Sequence, residues 1–114
     1  VGGVEHVVVT TTASSRAEAE ALATALLDDR LVACVQFVVI DSWYHWQGAI
    51  AREPEVLLVA KTRADLYGAV EAAIVSRHPY DVPEVVCTPI TAGHRGYLDW
   101  VEEATGEAPP TVSG

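Results

Sequence analysis

Between Leu31 and Gly48 the chain reads Leu-Val-Ala-Cys-Val-Gln-Phe-Val-Val-Ile-Asp-Ser-Trp-Tyr-His-Trp-Gln-Gly, rich in β-branched and aromatic residues. Its apolar positions do not follow the 3.6-residue repeat of a helix, so the run has to be extended. Few strands of that length stay straight, which predicts a bend or bulge near Asp41-Ser42. Gly48 supplies a turn, and Val56-Leu57-Leu58-Val59-Ala60-Lys61-Thr62 reads as the return strand of a hairpin. A long central hairpin admits few folds, because the flanking segments must cover a broad sheet.

Those flanks carry a repeated pattern. Val4 to Thr12 is almost wholly β-branched, and Ser15 followed three residues later by Glu18 is a capping-box signal for a helix. Ala19, Leu22, Ala23 and Leu26 then share one helical face, and that helix should end near Asp28-Asp29-Arg30. After the hairpin, Thr62 and Asp65 repeat the helix-start pattern, and Leu66, Val70 and Ile74 recur along one face. His78-Pro79 closes this second helix, because the residue before a proline is pushed out of the α region. Val82 to Ile90 is the last main strand, broken by Pro83 and Pro89 and so placed at an edge or a bulge. Tyr97, Leu98, Trp100 and Val101 mark a short third helix ending by Gly106, and residues 107–114 read as a mobile tail.

The order β-α-β, β-α-β is that of a ferredoxin-like α+β domain spanning residues 1–106, with one antiparallel sheet and both main helices on one face. In that layout the other sheet face is uncovered. With Trp43, Tyr44 and Trp46 on a hairpin arm, the exposed apolar patch calls for self-association. A chain of 114 residues can bury a core large enough to fold without a disulfide framework or a structural metal. Its net charge of −9, with basic residues scattered, disfavours nucleic acid and anionic membranes. Its 2 cysteines, Cys34 and Cys87, form no CxxC pair, which argues against a zinc ribbon. No apolar run reaches the ~20 residues of a membrane span. The start, Val1 to His6, has no basic leader, so a cytosolic, reduced setting is expected.

Chemistry-bearing residues gather in His78-Pro79-Tyr80-Asp81-Val82-Pro83-Glu84. The prolines make this segment rigid, and a rigid loop can hold imidazole, phenol and carboxylate in fixed relation. His78 is a candidate for metal ligation or proton transfer; equally, a histidine at a helix C-terminus can simply bond a carbonyl. Glu84 is either a ligand or a backbone partner. Cys34, in an apolar strand, is a soft-metal ligand or a small buried hydrophobe, and Cys87 reads as buried. Trp43 to Trp46 suits an interface arm better than a stacking platform, and Lys61 is either an anion holder or a solvated strand end. His6, His45 and His94 have no local partners and are assigned no role. A phosphate loop, a GxSxG elbow and an HExxH helix are all missing.

Taken in order, Arg30-Leu31-Val32-Ala33-Cys34-Val35, Ser42-Trp43-Tyr44-His45-Trp46-Gln47-Gly48, Leu57 to Thr62, His78 to Glu84 and Tyr97-Leu98-Asp99-Trp100 resemble the successive hallmarks of the CutA divalent-cation tolerance family. The resemblance covers Val7 to Gly106. It implies a ferredoxin-like protomer, a homotrimer similar to the PII signalling proteins, a cytosolic location in bacteria and tolerance of divalent cations, copper in particular. Carried over residue by residue, the family's proposed metal positions fall on Cys34 and His78. Some members have a cysteine at the end of the first strand where this chain has Thr10-Thr11-Thr12, and a threonine hydroxyl is a poor ligand for soft ions.

The leading expectation is therefore a non-enzymatic homotrimer that binds a divalent transition-metal ion, copper or zinc, at a subunit junction. His78, Glu84 and Cys34 would be its ligands. The alternative is a PII-like sensor or scaffold that takes a small anion or a partner protein in an inter-subunit cleft, using Lys61, Tyr80, Trp46 and Tyr97. Proton transfer by His78, Tyr80 and Asp81 comes third, because no nucleophile or cofactor motif accompanies it.

Overall fold

A computed structural model describes residues 4–106. Strands β1 (His6–Ala13), β2 (Cys34–Trp46), β3 (Ala49–Arg63) and β4 (Val85–Ile90) alternate with helices α1 (Arg16–Asp28), α2 (Tyr67–Arg77) and α3 (Arg95–Ala104). The strands form one antiparallel sheet in the order β2-β3-β1-β4, the ferredoxin-like arrangement. The tail expected over residues 107–114 lies outside the described residues.

The hairpin departs from expectation in two ways. Pairing runs without interruption from Cys34↔Lys61 to Trp46↔Ala49, so there is no bulge at Asp41 and Ser42, which face Pro54 and Glu53. The return strand also begins at Ala49, not Val56, and takes in Pro54. β1 pairs only with the Val56–Arg63 half of β3. The outer half therefore has β2 alone beside it, and a proline without an N–H is tolerated next to an open edge. At the tip, Gln47 (φ 50°) and Gly48 (φ 79°) both take positive φ, the backbone of a two-residue I′ turn that matches the strands' twist.

Register assigns the faces. Val7, Val9, Thr11 and Ala13 of β1 stand opposite Thr62, Ala60, Leu58 and Val56 of β3. On that face they meet Ala19, Leu22, Ala23 and Leu26 of α1 and Val70 and Ile74 of α2, which together make the core. Ser15 caps α1 as its spacing predicted, accepting from the Glu18 N–H at 3.1 Å. The capping box is not reciprocal, however, because the Glu18 carboxylate accepts from the Ser14 hydroxyl at 2.8 Å. α1 ends in a Schellman pair, Leu31 N–H to Leu26 carbonyl and Arg30 N–H to Leu27 carbonyl, with Arg30 (φ 55°) where glycine is usual.

Thr62 does not start a helix. It belongs to β3, is fully buried, and donates its hydroxyl to the Leu31 carbonyl at 2.6 Å. A 3₁₀ turn over Ala64–Leu66 leads into α2 instead. Strand pairing outcompeted the local capping signal. β4 starts at Val85, since Pro83 cannot donate to a ladder, and it is an edge strand, the first of the two placements the prolines allowed. Cys87, expected to be buried, is exposed. It stands opposite Val9 on the helix side, but β4 is an edge strand with a neighbour on one side only, and its side chains are correspondingly less covered.

The second sheet face is not bare. α3 lies across one end of it, burying Val101 completely, with Glu102 2.9 Å from His6 and the Tyr97 hydroxyl 3.5 Å from Cys34. What stays open is the arm and the rest of that face, where Val38 and Val86 are exposed.

Thr11 is 2% exposed and its hydroxyl has no hydrogen-bond partner, enclosed between the cross-strand neighbours Leu58 and Val85. Thr11→Val keeps the shape and removes the unpaired group. It is expected to raise the unfolding free energy by about 1 kcal/mol in urea denaturation; a fall would mean that the hydroxyl is bonded.

Candidate functional site

The residues singled out from sequence fall into three places. The first is the turn after α2. His78 leaves the helix with extended backbone (φ −81°, ψ 137°), so its ring swings back against β1. Nε2 donates to the Thr12 carbonyl at 2.6 Å, and Nδ1 accepts from the Tyr80 N–H at 3.2 Å. The partners thereby assign a neutral imidazole with its proton on Nε2. Tyr80 packs against the ring in a tilted arrangement, 4.5 Å between centroids, and donates its hydroxyl to Glu55 at 3.0 Å. Burial, and then the bond to Glu55, push the Tyr80 phenol up to about 12. Of the two readings of His78, the carbonyl-bonding one describes this geometry, although the carbonyl belongs to β1. Ligation through Nδ1 would first require the Tyr80 turn to open. Beside it is a cleft of ≈ 400 Å³, lined by Ala13, Glu18, Leu22, Arg77, His78 and Pro79.

The second place is the open face under α3. Cys34 and Lys61 are directly opposed across β2 and β3. The Tyr97 hydroxyl reaches the Cys34 thiol at 3.5 Å, and Lys61 donates to Gln36. The bond to Cys34, followed by burial, raises the Tyr97 phenol to about 12. Cys34 is half-buried rather than sealed in a core.

The third is the arm. The Arg52 guanidinium lies 4.4 Å above its cross-strand neighbour Trp43, and the Tyr44 hydroxyl donates to Glu53. Trp43, Trp46 and Ile50 remain exposed at 67%, 60% and 54%.

His78 and Cys34 therefore sit at separate places, and Glu84 is exposed in the link to β4. Among the described residues no three His, Cys, Asp or Glu side chains converge on one point that could hold a metal ion. Of the four cleft candidates, Lys61 and Tyr97 are brought together near Cys34. Tyr80 stands at the base of the arm and Trp46 at its end. Sequence reasoning missed Glu55, Gln36 and the Thr12 carbonyl as partners. They are separated from Tyr80, Lys61 and His78 by 25, 25 and 66 positions, so no local pattern in the sequence carried the signal.

Two outcomes follow from the first place. His78→Ala strips partners from the Thr12 carbonyl and the Tyr80 N–H, and is expected to cost about 1–3 kcal/mol in chemical denaturation. For Tyr80 the folded state favours the neutral phenol above its usual pKa of 10.0, so that contribution is complete below pH 10 and is lost as pH rises toward about 12. Stability measured through this window should fall less steeply for Tyr80→Phe than for the parent; identical slopes would contradict the assignment.

Comparison with known proteins places this geometry. The model of the CutA1 divalent ion tolerance protein family matches residues 7–104. The divalent-cation tolerance protein CutA of Thermus thermophilus is 42% identical over 87% of this chain and 97% of its own length. A chloroplastic CutA 1 of Oryza sativa is 37% identical over 92% of this chain, which spans 60% of that longer protein. Among solved structures, CutA1 from Oryza sativa superposes with a TM-score of 0.89 at 37% identity, covering 92% of this chain and 97% of that one. A protein titled periplasmic divalent cation tolerance protein CutA, from Archaeoglobus fulgidus, gives 0.85 at 34% identity over 87% of this chain and 97% of its own. The family description and the Thermus and Archaeoglobus names speak of tolerance of divalent ions or cations, none of the names states a catalysed reaction, and they include a chloroplastic and a periplasmic protein. The chain belongs to the CutA1 divalent ion tolerance protein family.

Proposed function

We propose that this protein serves divalent-cation tolerance as a non-enzymatic homotrimer that takes a divalent transition-metal ion, copper or zinc, where copies meet. One observation carries the reading: folding leaves Trp43, Trp46, Ile50, Val38 and Val86 exposed on the arm and the open sheet face. A surface of that kind is stabilised by burial against another copy, at about 25 cal/mol per Å² of apolar area removed from water. Among the described residues both sheet edges, β2 and β4, are also without a neighbouring strand. Family membership supports the cation half of the reading. His78 and Cys34 sit at separate places in one copy and Glu84 is exposed, so in this reading the donor set is completed between neighbours. Imidazole, thiolate and carboxylate together suit copper or zinc.

A second reading has its own support. Lys61 and Tyr97 stand on either side of Cys34 at the mouth of the open face, a cationic and phenolic pair suited to a small anion in a PII-like sensor or scaffold.

Calorimetric titration with copper(II), zinc and a panel of organic anions separates the two. Trp43→Glu with Ile50→Glu should convert the trimer to monomer in sedimentation and weaken metal binding at least about tenfold, the equivalent of ~1.4 kcal/mol. Cys34→Ser or Glu84→Gln should weaken it while leaving the trimer intact. A monomer that binds metal as tightly as the parent sinks the junction site. Heat from anions alone favours the sensor.

A further inference from the structure

We propose that the first turn of α3 is a pH-operated flap over Cys34: neutral His94 caps the turn, and protonated His94 releases it, together with Tyr97, from the thiol.

His94 is the N-cap of α3, and its Nδ1 accepts from the Tyr97 N–H at 3.2 Å. Only an unprotonated Nδ1 can accept. A proton there sets two donors against each other and places a cation at the positive end of the helix dipole. Histidine is the side chain whose ordinary titration range makes such a change accessible near neutral pH. The neighbouring sequence fits this ring. A Cβ on Gly96 would lie 2.9 Å from His94 Cε1, so a residue larger than glycine would push the imidazole off the turn it caps. The capped residue is the one that touches the thiol, since Tyr97 carries both the N–H bound by His94 and the hydroxyl on Cys34.

The other end of α3 responds in the opposite sense. His6 lies 2.9 Å from Glu102, and a proton on His6 turns that hydrogen bond into an ion pair. Arg30 donates to the Glu103 carbonyl at 3.0 Å, and the Gly106 N–H donates to the Arg30 carbonyl at 2.8 Å. Acidification thus loosens the N-terminal turn while the C-terminal half stays fastened, so the helix opens from one end. A cleft of ≈ 460 Å³ lined by Glu5, His6, Ile90, Thr91 and Leu98 adjoins the helix at Leu98.

The charges around both histidines leave this sign unchanged. On the same helix as His94 are Arg95 and Asp99, paired with each other at 3.9 Å. Facing His6 are Glu102 from α3, Glu5 from its own segment and Arg63 from β3. Arg63 is in turn 3.1 Å from Asp65.

The test uses the native oligomer in a Cys87→Ser background, so that dithiodipyridine reports on Cys34 alone. Its rate is measured beside the same protein carrying His94→Asn, a cap that does not titrate, so that thiol ionisation cancels in the ratio. The parent-to-variant ratio should be near one at about pH 8 and rise about fivefold by about pH 5.5 (~1 kcal/mol, a typical cap). Backbone carbon shifts of Tyr97 and Leu98 should lose their helical offset over the same range in the parent only. Their persistence in His94→Asn at low pH also shows that this variant is folded. A flat ratio, or the same loss of helical shifts in His94→Asn, overturns the proposal.

Discussion

The unbroken ladder between β2 and β3 is the constraint on which the rest of the structure depends. It runs from Cys34↔Lys61 to Trp46↔Ala49, while β1 reaches only as far along β3 as Val56. One ladder therefore does two jobs. Its inner half is the floor of the core, where Leu58 and Ala60 meet the helices, and its outer half is an arm with open edges. Side chains alternate along each strand, so this register also decides which groups share a face. It sets Cys34 and Lys61 together, stacks Arg52 on Trp43, and puts Glu55 within reach of Tyr80.

Around this ladder the helices are fastened by histidines acting on backbone. His78 ties the end of α2 to β1 through the Thr12 carbonyl, and His94 caps α3 through the Tyr97 N–H. In each case the neighbouring tyrosine carries the consequence outward, Tyr80 to Glu55 and Tyr97 to Cys34. These imidazoles are parts of the scaffold as much as they are chemical groups. A metal ion that recruited His78 through Nδ1 would displace a backbone N–H, linking binding to the conformation of the Tyr80 turn.

α3 changes the account of the open face. An entirely bare second face would leave Cys34 and Lys61 simply solvated. The helix instead encloses one end through Val101 and two polar anchors, and leaves Val38, Val86 and the aromatic arm outside. A face so divided separates a thiol-bearing niche from an exposed apolar surface.

The amino-acid sequence by itself determined the order of elements, the Ser15 cap, the helix stop at His78-Pro79, the edge position of β4 and the family. Each is encoded within a few residues, by β-branched runs, hydroxyl caps and prolines whose effect is local. It also flagged His78, Tyr80, Cys34 and Tyr97 as chemically notable. Their partners were decided only by the tertiary structure, as were the straight register through Asp41 and Ser42, the capture of Thr62 by β3, the exposure of Cys87 and the role of His6. Those outcomes rest on pairings between distant residues. Long-range strand pairing and burial add more free energy than a local capping signal such as that of Thr62 can oppose, so the local pattern yields wherever the two conflict.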